Sequence, residues 1–182
     1  MSPLGHNITA FSMATAYMGI KGISWIQGLA SLRNLLIQNT FGVIDDIALS
    51  TFVALGIIVG ARGPDRLELP SFNQKTKIRR SLIPHRTLTH WPLFWLVITF
   101  LNWVLARQYN DIFISATTSV GFGFCASSWL HLAMDIMTPS GIPLLTPFGS
   151  RTSLNIYKSG HFGEMAFVSL LLFITIIFVL HF

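Results

Sequence analysis

Long apolar runs, each meeting an ionisable residue near one end, leave this chain few ways to fold. The runs are about Ile8 to Trp25, Ile44 to Ala61, Trp91 to Ala106, Ile112 to Met137 and Met165 to Phe182. A bilayer's hydrocarbon core asks for about 17 to 25 apolar residues per helix, so each run is a candidate span. Composition points the same way. Of the 182 residues 52% are hydrophobic and only 10% charged, with a mean hydropathy of +0.60, whereas a soluble domain carries about 25% charged residues. The expected fold is all-α: a polytopic membrane helix bundle of about five transmembrane helices forming one integral membrane domain over residues 1–182. The segment 26–42 is apolar but holds Arg33, Asn34 and Asn39. It reads either as an interfacial or re-entrant helix or as a continuation of the first span. The opening MSPLGHNITA has no basic n-region, so no cleaved signal peptide is expected.

The connections differ in character. The turn 107-RQYND-111 is short and polar, whereas the stretches 62–90 and 138–163 are long, the first with three Pro and a dense run of base and the second full of Pro, Gly, Ser and Thr. Loops of that length without a helix of their own tend to be functional. Alternating spans place nine of the twelve Lys and Arg, from Arg62 to Lys158, on one side, and Lys21, Arg33 and Arg107 on the other. That bias makes the first side cytoplasmic and, with it, the N-terminus and both long loops. Net charge of +5 and a pI near 9.9 are then a membrane signature, and no nucleic-acid partner is expected. The single Cys125 lies within an apolar run and reads as a small buried packing residue. Trp91, Trp95 and Trp103 read as facing lipid or interface.

The same threading gathers the ionisable residues. His6 starts the first run, Asp65 and Glu68 follow the second, and His85 and His90 lead into the third. His131 and Asp135 close the fourth, and His161 and Glu164 precede the fifth; His181 stands at the far end, apart from the rest. His131 and Asp135, four apart, share one helix face and can share a metal. Imidazole with carboxylate suits zinc, manganese or iron. Ionisable groups near membrane depth are costly, so the convergence of several needs a cause, and a divalent metal is the expected one. Arg86 offers a bidentate donor to a phosphate.

The motifs GH at 5–6, PDRLE at 64–68, HRTLTHW at 85–91 and HLAMDIMTPSGIPLLTPF at 131–148 resemble the YdjM-like family of bacterial inner-membrane metal-dependent hydrolases. The family pattern has Pro-Asp-x-Asp-His, His-Arg-Gly-x-Thr-His and His-x3-Asp leading into Thr-Pro-x-Gly. This chain departs at the first, where Arg66, Leu67 and Glu68 stand in place of the second Asp and the His. A more distant likeness is to the all-helical superfamily of zinc-dependent phospholipase C and single-strand nuclease. There the ligands run His, Asp, His, His-x3-Asp, then a His/Glu pair; here the last pair, His161 and Glu164, is spaced by three residues instead of four.

The resemblance implies a membrane-embedded hydrolase of a phosphoester in a lipid or lipid-linked substrate, at the cytoplasmic face of the bacterial inner membrane. Its expected metal ligands are His6, Asp65, His85, His90, His131, Asp135 and Glu164, with zinc the leading metal and manganese or iron the others. Glu164, Arg86 and Asp65 are the expected catalytic residues, and Arg86, Thr89, Thr138 and Gly141 the expected substrate contacts. The alternative is a non-catalytic membrane protein with a structural or sensing metal site, docking a cytoplasmic partner or anionic lipid through the basic 75–80 run.

Overall fold

A computed structural model describes residues 2–38, 46–67, 70–73, 78–81, 86–109 and 111–181. Their elements are helices α1 (Pro3–Ile20), α2 (Trp25–Gln38), α3 (Asp46–Gly60), α4 (Gly63–Arg66), α5 (Pro92–Gln108), α6 (Ile112–Ile136) and α7 (Phe162–His181). Two small antiparallel hairpins join them. Strands β1 (Pro70–Asn73) and β2 (Ile78–Ser81) pair with Pro70 opposite Ser81, and β3 (Ile142–Pro143) and β4 (Arg151–Thr152) pair with Ile142 opposite Thr152. A 3-10 turn at Leu88–His90 leads into α5. The segment read as interfacial or as part of the first span begins as a separate helix, α2.

Small residues decide how the bundle closes. A side chain added at Gly56 of α3 would put its Cβ 2.1 Å from the Val120 carbonyl oxygen of α6, and one at Gly123 of α6 would lie 2.0 Å from that of Val53. The two backbones therefore touch where a Cβ would otherwise stand, as small-residue helix pairs do. On the other side of α3, Ala54, Ile57 and Ala61 pack against Ala10, Ala14 and Met18 of α1. A third cluster sets Trp95 of α5 against Leu132 and Ile142, with Phe94 and Phe124 beside it. Trp95 thus corrects the expectation of a lipid-facing indole: it is buried, and its Nε1 donates to the Thr89 carbonyl at 2.7 Å. Trp103 is exposed.

The expected bundle of five transmembrane helices is corrected. Among the described residues no helix is long and apolar enough to cross a membrane. Two reasons are visible. Helix α3 has 15 residues and α5 has 17, which at 1.5 Å per residue reach only about 22 to 26 Å against a core of about 30 Å. Helices α1 and α6 are longer but diluted, α1 by His6, Asn7, Thr9 and Ser12, and α6 by Ser115, Thr117, Thr118, Ser127, Ser128, His131 and Asp135. The fifth expected span, Met165 to Phe182, lies in α7 (Phe162–His181) and runs one residue past the described ones. The cytoplasmic placement of the N-terminus rested on those spans and goes with them.

Gly123→Ala should wedge α3 from α6 and cost about 1 to 3 kcal/mol, the usual penalty of overpacking. A thermal midpoint in detergent equal to that of the unsubstituted chain would show that the crossing has slack.

Candidate metal centre

Four short structural devices bring the polar groups to one end of the bundle. Ser2 caps α1, its hydroxyl accepting from Gly5 N, and sets His6 in the first turns. Helix α4 lies directly on α6, because Gly63 leaves no Cβ to meet the Ser128 hydroxyl and the Phe124 ring, 2.7 and 2.9 Å from where one would be; this carries Asp65 over the last turns of α6. The 3-10 turn presents His90. Near its C-terminal end α6 supplies His131 and Asp135, one turn apart on a buried face.

The ligand atoms meet closely. His131 Nε2 lies 3.7 Å from Asp65 Oδ1 and 3.6 Å from Asp135 Oδ2. His90 Nε2 is 3.4 Å from both Asp65 Oδ1 and Asp135 Oδ2, and His6 Nε2 is 3.7 Å from Asp135 Oδ1. His6 also stacks on His131, ring centroids 3.7 Å apart. Two overlapping groups, His6 with Asp65 and His131, and His90 with His131 and Asp135, have ligand atoms within 4.8 Å of one another and could hold a metal ion.

His131 settles which chemistry fits. Its Nδ1 is 3.0 Å from the Ala61 carbonyl oxygen. A carbonyl only accepts, so Nδ1 carries a proton; burial holds the ring's pKa down at about 3, so the ring is neutral and Nε2 presents a bare lone pair. That Nε2 is buried without a hydrogen-bond partner among the described residues and faces two carboxylates. Lone pairs aimed at one another in a buried space repel, and a cation between them removes the conflict. The residues present therefore fit a divalent ion. At Asp65, burial opposes ionisation, but contact with His90 and the positive charge that His131, His90 and His6 carry when protonated outweigh it and hold the pKa down at about 2. His90 shows the converse. Burial works against its protonated form, yet the hydrogen bonds and charges of Asp135 and Asp65 push its pKa up.

Arg86 sits on the edge of this cluster. Its backbone is left-handed, φ +60°, a region few non-glycine residues occupy. The buried guanidinium donates to Asp135 Oδ1 at 3.0 Å, to the Gly141 carbonyl at 3.1 Å and to the Thr138 hydroxyl at 3.4 Å. It is turned inward, onto the Asp135 carboxylate. Thr89 reaches His90 Nδ1 at 3.2 Å, and Thr138 donates to the Asp135 carbonyl at 2.8 Å, so both contact residues of the cluster. Gly141, at φ +59°, packs where a Cβ would come within 2.3 Å of the Thr152 carbonyl oxygen; only glycine suits that turn.

The structure brings together His6, Asp65, His90, His131 and Asp135 and leaves other expected members elsewhere. Glu164 is buried, but its carboxylate accepts from Ser2 N at 2.9 Å, from the Ser2 hydroxyl and from Gly160 N at 2.6 Å. It ties the start of α7 to the cap of α1 and stands outside both metal groups. His161 is exposed, beside the Ser159 carbonyl. His85 and Glu68 lie outside the described residues. The sequence reading passed over Ser2 and the Ala61 carbonyl. The first has a sequence signal in its place before Pro3, where a helix-capping serine belongs; a backbone carbonyl has none.

The family described as YdjM inner membrane protein matches residues 1–181. The chain belongs to that family. Membership places it among membrane proteins, in keeping with the exposed apolar faces of α5 and α7, where Leu96, Phe100, Leu170 and Phe173 point outward. A curated relative, the uncharacterized protein YvsG of Bacillus subtilis, is 35% identical over 112 residues, a match covering 58% of this chain and 64% of the relative. The match thus spans just under two thirds of that protein's length. No solved structure matches. The relation to the phospholipase C and nuclease superfamily is not among these findings.

Two substitutions separate holding a metal from holding a ligand. Arg86→Lys keeps the charge but loses the fork on Asp135 and Gly141, and should weaken metal binding about 10- to 100-fold in competition with a chromophoric chelator; unchanged affinity would detach Arg86 from the site. Glu164→Gln should lower the thermal midpoint while metal content stays at the wild-type level. Loss of metal without loss of stability would return Glu164 to the ligands.

Proposed function

We propose that this protein is a metal-dependent hydrolase of the membrane, cleaving a phosphoester of a lipid or lipid-linked substrate. The observation that carries the reading is the shape of the cluster. His90, His131, Asp135 and His6 are almost wholly shut from solvent, while the Asp65 side chain is 23% exposed. A structural metal is closed in by its ligands, whereas a catalytic one keeps an open position. Here the open side is at Asp65.

His6, His90, His131, Asp65 and Asp135 would hold the ion. The two groups share His131, whose Nε2 has a single lone pair, so they describe the surroundings of one ion. A divalent metal held there supplies Lewis acidity and a means of activating water at neutral pH. Three imidazoles, two carboxylates and no thiolate favour zinc, with manganese and iron as the alternatives. Asp65, ionised down to about pH 2, is suited to orient a water by accepting its hydrogen bond. At that pKa it is a poor store for a proton. Arg86 and Thr138 hold Asp135 in register, and Trp95 and Thr89 hold His90. The phosphoester class is supported by the order of candidate ligands along the chain, His, Asp, His, His-x3-Asp, and the lipid by membership of a membrane family.

Elemental analysis of detergent-purified protein tests the first half of this reading. Wild type should carry zinc, manganese or iron near one ion per chain, and His131→Ala and Asp135→Ala should lose it. Metal-loaded protein should then release the headgroup or phosphate from lipid phosphoesters, and Asp65→Asn should slow that release more than it weakens metal binding. A wild type that stays metal-free after incubation with each ion ends the hydrolase reading. Metal bound tightly with no turnover of any lipid phosphoester would leave a structural or sensing site.

A further inference from the structure

The loop between α6 and α7 presents apolar side chains to the outside while its backbone is firmly pinned. Leu145 is 88% exposed and Phe148 75%, and Leu154, Ile156 and Phe162 are also largely bare. Exposure of this kind in a slack loop would mean little. Here Leu154 N and Ile156 N donate to the carbonyls of Ile136 and Met137 at 2.8 and 2.7 Å. Ser153 donates to the Thr138 carbonyl, Tyr157 to that of Met134, and Trp91 Nε1 to that of Leu144 at 3.2 Å. Strands β3 and β4 close the middle. The side chains are held outward by a built scaffold.

Charge selects what they meet. Residues 138–161 contain no Asp or Glu, while Arg151 and Lys158 are exposed among the apolar groups. Leucine and phenylalanine beside cations, without an acid, suit a surface that is apolar beneath and negative on top. Depth follows from the backbone. An irregular loop cannot satisfy its N–H and C=O groups inside hydrocarbon, so it belongs at the level of the headgroups, with Leu145 and Phe148 reaching below.

We propose that the loop 144–162 is a docking element for an anionic lipid surface. It seats in the headgroup layer of the membrane and fixes the depth at which the metal cluster stands, through the bonds of Gly141 and Thr138 to Arg86. The docking stands independently of the hydrolase reading; that it would align a lipid's phosphoester with the cluster rests on that reading.

The test uses the full chain in nanodiscs of phosphatidylcholine, alone or with about a third of phosphatidylglycerol as the anionic lipid. Leu145→Cys and Phe148→Cys each carry an environment-sensitive fluorophore, and the unsubstituted chain, whose Cys125 is buried, serves as the labelling blank. Both probes should be quenched by brominated lipid and shielded from aqueous iodide, more strongly when phosphatidylglycerol is present. Arg151→Gln and Lys158→Gln should each weaken the anionic preference about five-fold, the equivalent of about 1 kcal/mol per basic residue near such a surface. Probes as open to iodide as free dye overturn the proposal, as does equal lipid quenching with and without phosphatidylglycerol. Shielding from iodide without quenching by brominated lipid would assign the surface to another protein chain and overturn it too. None of these readings depends on metal or turnover, so docking can fail while hydrolysis stands, and the reverse.

Discussion

The carboxylate of Asp135, 1% exposed near the end of α6, must be matched by its neighbours, and the surrounding fold is arranged to match it. A buried carboxylate left alone would give up its charge or unfold its surroundings. Here one oxygen takes the Arg86 guanidinium and faces His6, and the other faces His90 and His131. Those partners come from three parts of the chain. Satisfying one charge therefore fixes the start of α1, the turn before α5 and the end of α6 relative to one another, while α4 arrives through Asp65. The close α3–α6 crossing at Gly56 and Gly123 sets the frame in which this happens, since α3 leads straight into α4 and α6 carries both His131 and Asp135.

Two kinds of information in the sequence behaved differently. Side-chain chemistry was legible: a His and an Asp one helical turn apart, with His6, Asp65 and His90 near the ends of other apolar runs, already marked a candidate cluster, and in the structure the five lie together. Geometry that depends on backbone was not. Arg86 looked like a phosphate donor because its residue type allows it; its left-handed backbone and the carbonyl of Gly141 turn it inward, and neither is written in residue type. Glu164 was grouped with the ligands by its place in the chain order, but the N–H groups of Ser2 and Gly160 claim its oxygens first.

The expected membrane spans show the limit of counting apolar residues. A run such as Ile44 to Ala61 is apolar enough, yet only the part from Asp46 to Gly60 is helical among the described residues, and a helix rises just 1.5 Å per residue. Apolar residues were instead used to build interfaces within the bundle, Ala10 and Ala14 against Ala54 and Ile57, and to furnish the outward faces of α5 and α7.

Asp65 gives the cluster a direction. It alone of the five converging side chains reaches solvent to any extent, so an ion entering the cluster would meet a carboxylate before the imidazoles. An ion leaving would retrace that route. Exchange of the ion should then be governed by how freely Asp65 swings on its single turn of helix, and a chelator in solution, however strong, would have to wait for that motion.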